Sequence, residues 1–345
     1  MQQVRWDEPG CEEVAKGVHR IPLPLPNDGL RAVNIYVIEE GDHLVAIDGG
    51  QHLPEARQAL EAGLAELGAG LGDLRRFLVT HIHRDHYTQA VALRREFGPE
   101  VLLGAGERES LERATVRRGD ALAEQRRVLL AAGAAELVAE LARLGPPIED
   151  ISGALYEPPD VWVEEGQEIE LASRRLVALA TPGHTRGHVV YLDPDHQLLF
   201  AGDHVLPHIT PSIGFEPIVD ADPLGAYLRS LARVRSLPDG VCLPAHGQPM
   251  ERFHVRVDEL LAHHDHRLDE CARSLEGGAA TAWEVARTLR WTRRERRLGE
   301  LDLFNQMLAV METRFHLELL LAQGRVRAKD DDGVRSYHQL EDAAR

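Results

Sequence analysis

His81, His83, Asp85 and His86 stand within six residues, in the run Thr80-His81-Ile82-His83-Arg84-Asp85-His86, directly after the apolar Phe77-Leu78-Val79. Crowding three imidazoles and a carboxylate at one strand end is costly unless a divalent cation neutralises the carboxylate and takes the nitrogen lone pairs. His81 and His83 are two apart, so on leaving a strand they can point to one side. Asp85 and His86 fall where the chain turns helical, with Ala90, Val91, Leu93 and Phe97 apolar. Two pairs of ligands then face two neighbouring points, which predicts a metal site. The competing reading is a polar loop with ordinary surface histidines, since short motifs also arise by chance.

Three further pieces recur at strand ends. The apolar run Leu176-Val177-Ala178-Leu179-Ala180 closes in Thr181-Pro182-Gly183-His184-Thr185-Arg186-Gly187-His188, which puts His184 in a glycine-bordered turn. Leu198-Leu199-Phe200-Ala201 leads into Gly202-Asp203-His204, where a carboxylate at a strand terminus could bridge two cations. Val241-Cys242-Leu243-Pro244-Ala245 delivers His246-Gly247. Each alone is weak; their order along the chain strengthens them together.

In that order the motifs resemble the metallo-β-lactamase superfamily over roughly residues 14–250. The resemblance implies a four-layer αββα fold of the α/β class, with two sheets face to face, helices outside and metals at one edge. It implies that His81, His83 and His184 hold one metal, that Asp85, His86 and His246 hold a second, and that Asp203 bridges them. Asp48, in Val45-Ala46-Ile47-Asp48-Gly49-Gly50, matches an acidic residue that supports the site by orienting a ligand imidazole. Many relatives follow the first motif with a glycine-rich pair, whereas Tyr87-Thr88-Gln89 stands here. Tyr87 is therefore expected either to shape the substrate pocket or to pack. His188 and His204, each beside an expected ligand, are candidates to hydrogen-bond substrate or ligand. Nitrogen and oxygen donors suit zinc best, with iron or manganese also compatible, so two divalent cations are the expected cofactor.

Composition fits a soluble enzyme: 345 residues, 43% hydrophobic and 28% charged. The three cysteines, Cys11, Cys242 and Cys271, are far apart and lack CxxC spacing, which argues against a disulfide framework or a thiolate zinc site and fits a reducing cytoplasm. Residues 1–10 show no apolar signal core, and no stretch approaches the length of a membrane span, so neither secretion nor a membrane partner is expected. The net charge of −17 disfavours a general phosphate-backbone binder. Residues 251–345 nevertheless carry a net of only −2, with Arg287, Arg290, Arg293, Arg294, Arg296 and Arg297 clustered around Trp291. Nucleic acid is thus the less favoured partner.

The chain divides into a catalytic unit, 1–250, and a tail, 251–345. Strands over 34–39 and 44–47 flank the Glu40-Gly41-Asp42 turn, and a helix over 54–67 starts on proline. Inside the catalytic unit an insertion at about 105–147 carries Leu122, Val128, Leu129, Leu130, Leu137, Val138, Leu141 and Leu144 at near-helical spacing. It predicts one or two amphipathic helices, serving as a lid over an apolar pocket or as a surface for a homo-oligomer. Arg113, Arg117, Arg118, Arg126 and Arg127 in it could recognise an acidic carrier of the substrate. The tail predicts helices over 252–275 and 301–323, a short one capped by Thr281, and a hairpin turning at Asp330-Asp331-Asp332-Gly333. It resembles the winged-helix appendage of hydrolases of the β-lactamase-like-protein-2 type. The histidine-rich His263-His264-Asp265-His266 on the first of these helices is read as solvated or packing, because no strand end accompanies it.

The expected activity is hydrolysis of a small carbonyl substrate, a thioester, ester or lactone, by a hydroxide bridging two metals, with Asp85 orienting it. A phosphodiesterase or endoribonuclease using the same site, with the basic tail binding nucleic acid, is the alternative. A partner-binding tail on a relic hydrolase is a third reading, against which the complete ligand set argues.

Overall fold

The computed structural model describes residues 5–26, 28–116, 122–143 and 155–340. Arg117, Arg118 and Leu144 lie outside them. Among the described residues one seven-stranded sheet holds β1 (Glu12–Ala15), β2 (Val18–Pro24), β3 (Ala32–Glu40), β4 (His43–Ile47), β5 (Leu74–Val79), β6 (Glu100–Gly104) and β7 (Val161–Val163) in chain order. A second sheet, of β8 (Glu168–Glu170), β9 (Arg175–Ala180), β10 (Val189–Asp193), β11 (Leu198–Gly202) and β12 (Val241–Pro244), has order β12-β11-β10-β9-β8. The hairpin expected around Glu40 is present, since β3 and β4 pair antiparallel from Glu40↔His43 to Tyr36↔Ile47.

Alternation of side chains assigns each strand two faces. On β3, Tyr36 and Ile38 point between the sheets while Val33, Ile35 and Val37 point outward. On β11, Leu198 and Phe200 face inward while Leu199 and Ala201 face outward. Both faces are buried, which is why these strands read as nearly continuous apolar runs. Tyr36 and Phe200 meet edge to face across the inner layer, ring centroids 5.7 Å apart.

The outer face of the first sheet is covered by α1 (Pro54–Glu66) and α2 (Arg84–Phe97), through Leu60, Leu64, Val91 and Leu93. Pro54 opens α1 at a position that needs no amide donor, and Gly98 closes α2 in the left-handed region at φ 79°. Among its described residues, the stretch expected to form one or two helices forms three short ones: α3 (Arg108–Val116), α4 (Ala123–Ala131) and α5 (Ala135–Arg143). Gly133, at φ 82°, separates the last two.

The outer face of the second sheet is covered by α6 (Pro223–Arg235) and α7 (Phe253–Arg273), and four layers result. After α7 come β13 (Ala280–Thr281), α8 (Ala282–Thr288), α9 (Leu303–Ala322), β14 (Val326–Asp331) and β15 (Val334–Gln339). Thr281 and Glu284 cap α8 reciprocally, as the serine/threonine-to-glutamate spacing predicts. Asp332 and Gly333 both take positive φ at the β14–β15 turn, the conformation a tight hairpin requires. The layer of α6 and α7 is continuous with α4, α5, α8 and α9: Val128, Leu137, Val285, Met307 and Met311 share one core with Leu231 and Phe253. Polar ties reinforce it, with the Trp283 amide donating to the Ala132 carbonyl at 3.0 Å and Arg314 to the Val128 carbonyl at 2.9 Å. No helix among the described residues is long and apolar enough to cross a membrane.

Truncating the inner-layer ring tests this packing. Phe200→Ala, fully buried, is expected to cost about 3–5 kcal/mol in denaturant unfolding, whereas Leu130→Ala on the exposed side of α4 stays within about 0.5 kcal/mol.

Candidate metal centre

Five strand ends deliver the polar residues to one edge. Asp48 follows β4, His81 and His83 follow β5, His184 lies in the turn after β9, Asp203 follows β11 and His246 follows β12. Asp85 and His86 occupy the first turn of α2, whose His86 and Tyr87 amides bond the His83 carbonyl. The His184 turn is tight because Gly183, at φ 137°, lies against α6: a Cβ there would come within 2.5 Å of the Tyr227 Cα.

The geometry forms two adjoining groups. His81 Nε2, His83 Nδ1 and His184 Nε2 stand 3.0, 3.0 and 3.2 Å apart pairwise, and Asp203 Oδ2 is 3.3 Å from His184 Nε2. His86 Nε2 lies 3.6 Å and His246 Nε2 3.5 Å from Asp85 Oδ2. The other oxygen of Asp203, Oδ1, lies 3.7 Å from His86 Nε2 and 3.3 Å from His246 Nε2. Asp203 therefore turns one oxygen to each group.

Hydrogen bonds behind the rings fix which nitrogens are bare. His83 Nε2, His184 Nδ1 and His246 Nδ1 donate to the carbonyls of Phe215, Ser212 and Ala32 at 2.7, 2.6 and 2.7 Å; a carbonyl can only accept. The Thr80 hydroxyl donates to Asp48, so His81 Nδ1 donates to Thr80 Oγ1 at 3.0 Å. In their neutral forms the three nitrogens of the first group are all lone pairs aimed at one another. Burial, reinforced by the neighbouring imidazoles, pushes His81 far below its ordinary range and His83 down to about 4, so protons do not resolve the conflict at neutral pH. In the second group, His86 Nε2, His246 Nε2 and Asp203 Oδ1 are buried without a hydrogen-bond partner. Such unpartnered buried atoms fit divalent cations, which would displace the proton that the surrounding carboxylates hold on His86, and the seven residues expected as ligands are brought together.

Supporting residues act through the ligands. Asp48 takes φ 63° at the end of β4, which directs Oδ2 to His86 Nδ1 at 2.9 Å and Oδ1 to the Thr80 amide at 2.8 Å. Burial opposes a charge on His86, but Asp48, Asp85 and Asp203 outweigh it and raise the ring to about 10. Asp85 and Asp203 resist burial likewise and stay below the usual carboxylate range, drawn down chiefly by His86 and His246. His188 is fully buried; its Nδ1 donates to Thr181 and its Nε2 accepts the Asp203 amide at 3.1 Å, so it positions Asp203 and cannot meet substrate.

Of the pair expected to hydrogen-bond substrate or a ligand, His188 thus bonds an expected ligand, and of the two roles open to Tyr87 the structure shows packing. His204 is fully buried behind the cluster, its ring between His188 and Tyr227, and burial pushes it down to about 3. Tyr87 packs inward: its ring stacks on Tyr156 and its hydroxyl donates to the Glu157 carbonyl, leaving no polar atom for substrate. The sequence reading missed Glu107, which lies three residues past the end of β6. Its Oε1 accepts from Thr185, next to His184, at 2.5 Å, and burial raises its carboxyl to about 7. Glu216, buried beside it and bonded by Ser110, is pushed well above the usual carboxylate range by desolvation and by Glu107.

Two outcomes are expected. Asp48→Asn removes the charge that orients His86 and should weaken metal binding about 10–100-fold in chelator-competition titrations. In the metal-free protein His86 carries a proton up to about pH 10. Metal must displace it, so affinity at the second group should rise with pH through 6–9, and calorimetry in buffers of different ionisation enthalpy should detect its release. Asp48→Asn should flatten that pH dependence.

Likeness to known proteins agrees with this architecture. A sequence profile described as Metallo-beta-lactamase superfamily matches residues 28–246. Probable metallo-hydrolase YqjP of Bacillus subtilis (strain 168) is 25% identical over 320 residues, covering 88% of this chain and 91% of that protein. The crystal structure of a metallo-beta-lactamase family protein from Thermus thermophilus, TTHA1429, shares 30% identity and a TM-score of 0.76, covering 95% of this chain and 100% of the other. An atrochrysone carboxyl ACP thioesterase of Aspergillus fumigatus is 24% identical, over 73% of this chain and 46% of its own length. Because the profile spans well over half of the chain, including every strand end that carries a ligand, this protein belongs to the metallo-β-lactamase superfamily and is a hydrolase of that family.

Proposed function

We propose that the enzyme hydrolyses a small carbonyl substrate, a thioester, ester or lactone, at a binuclear centre held by His81, His83 and His184 on one side and Asp85, His86 and His246 on the other, with Asp203 between. The donor set of imidazole nitrogens and carboxylate oxygens favours zinc, with iron or manganese compatible. When bound, two such cations acidify a water and polarise a carbonyl. The chain's own residues do the rest. Asp85, ionised and with a side chain 14% exposed, would orient that water by accepting a hydrogen bond from it. Asp203 keeps the two groups in register through one carboxylate.

The observation that carries the substrate class is the apolar lip beside His83. Phe215 lends its carbonyl to His83, its ring lies 6.2 Å from that imidazole, and it meets Phe304 of α9 edge to face at 5.3 Å. Phe304 remains 48% exposed, so an acyl chain entering over His83 would cover it. The relative named as an acyl-carrier-protein thioesterase supports the same class. The acidic net charge of −17 opposes a polynucleotide. Trp291, expected to centre a basic nucleic-acid surface, is buried, with its indole donating to the Ala286 carbonyl and Arg267 over its ring, so it offers no face to a base.

Residues 1–250 are read as the catalytic unit. Residues 251–345, in which the helices α7, α8 and α9 precede the β14–β15 hairpin, are read as a winged-helix-like appendage. α3 and α4 are read as a lid element, since Ser110 and Gln125 bond Glu216 directly after Phe215. A phosphodiesterase or ribonuclease is the second reading, favoured only by the exposed Arg293, Arg294, Arg296 and Arg297.

A panel of acyl thioesters, esters, lactones, bis-aryl phosphodiesters and short RNA, assayed with zinc-loaded enzyme, tests the proposal. Thioester, ester or lactone turnover should dominate, and Asp203→Ala or His83→Ala should lower it at least about 100-fold together with metal content. Dominant RNA cleavage that falls when Arg293, Arg294 and Arg297 are neutralised would establish the second reading instead.

A further inference from the structure

We propose that His263, His264 and Glu312 form a separate binding site for one divalent transition-metal ion of the zinc class, joining α7 to α9 away from the strand-end centre. Each of the three presents a ligand atom within 4.8 Å of the others. His263 and His264 come from the middle of α7, while Glu312 and His316 lie one turn apart on α9.

A hydrogen-bond relay fixes the chemistry of the site. His316 Nδ1 lies 2.8 Å from the Glu312 main-chain carbonyl, which can only accept, so this nitrogen bears the proton. His316 is fully buried, and burial lowers it to about 3, so the ring is neutral and its Nε2 is a lone pair. That lone pair, 3.1 Å from His264 Nδ1, must accept from it. His264 is therefore left with a bare Nε2, buried and without any hydrogen-bond partner. Metal-binding histidines are built in this way, with the far nitrogen donating to a fixed acceptor so that the near one is presented unprotonated.

The other two ligands complete a His-His-Glu set. His263 is half-buried and brings a second imidazole nitrogen within ligand reach of His264 and Glu312. Glu312 adds a carboxylate that desolvation pushes above its ordinary range, so a cation is what would hold it ionised. The nearby Arg267 is engaged elsewhere, donating to Glu270 and to the Arg290 carbonyl and lying over Trp291. Two nitrogen donors in three favour zinc-like ions over calcium or magnesium, which prefer oxygen. The reading of these histidines as merely solvated or packing leaves the bare Nε2 unexplained.

The site has a place in the architecture. The His264 ring lies 5.5 Å from the Tyr227 ring, whose hydroxyl bonds the His204 carbonyl and whose backbone supports the Gly183 turn before His184. An ion here would clamp α9, which carries Phe304, to the scaffold of the strand-end centre.

The test is zinc stoichiometry of the full chain, stripped with chelator, reloaded with zinc chloride and desalted. His263→Gln and Glu312→Gln, both at partly exposed positions, should each bind one zinc fewer than wild type. They should retain the zinc that Asp203→Ala and His83→Ala lose, so failure of one site is distinguishable from failure of the other. Zinc-edge anomalous scattering from zinc-soaked wild-type crystals gives an answer independent of any variant, with a peak expected among His263, His264 and Glu312. Equal zinc content in wild type and both glutamine variants, or no anomalous peak between α7 and α9, would overturn the assignment.

Discussion

Buried acceptors held against one another are the constraint from which the rest of this molecule follows. Three imidazole nitrogens 3.0–3.2 Å apart, each with its proton directed outward, repel unless a cation lies among them. Flexible loops would relieve that repulsion by moving apart. Here His81, His184, Asp203 and His246 leave strands of two sheets whose inner layer is packed with Tyr36, Leu78, Tyr191 and Phe200, so the conflict is held in place. The backbone carbonyls of Ala32, Ser212 and Phe215 then point each outward nitrogen in one direction only.

Rigidity at the ligands is passed outward through close packing. The β6 end and the His184 turn touch at backbone distance, since a Cβ on Gly187 would come within 2.1 Å of the Glu107 amide. That contact carries Glu107 to Thr185, and α3, which follows, bonds through Ser110 to Glu216, the neighbour of Phe215. The core of the second sheet runs without interruption into α8 and α9, so the C-terminal elements are part of the wall of the site. Phe304 at the lip and His264 behind Tyr227 are the two places where that continuity reaches the chemistry.

Legibility in the sequence followed the range of the interaction. The five strand-end motifs, the Glu40 hairpin, the Pro54 start of α1, the Thr281 cap and the Asp332-Gly333 turn are local patterns, and each corresponds to an element in the structure. Tyr87 and His204 neighbour expected ligands in the chain, but one step turns a side chain by about 100° on a helix and to the opposite face on a strand, and both lie in packed layers. Glu107 lies three residues past the end of β6, in a turn that no motif marks, whereas Asp48 directly follows β4. His264 and His316 are 52 positions apart, so no local spacing could announce their relay.

The order of histidines and carboxylates along the chain was thus enough to determine the family, the four layers and which polar residues meet at one edge, because alternation along strands and the periodicity of helices are local rules. The tertiary structure decided which nitrogen of each ring is bare, which oxygen of Asp203 serves which group, and which aromatic residues remain exposed at the rim. Those properties depend on carbonyls and rings contributed from more than a hundred residues away, such as Phe215 against His83, and only packing can bring them within hydrogen-bond reach.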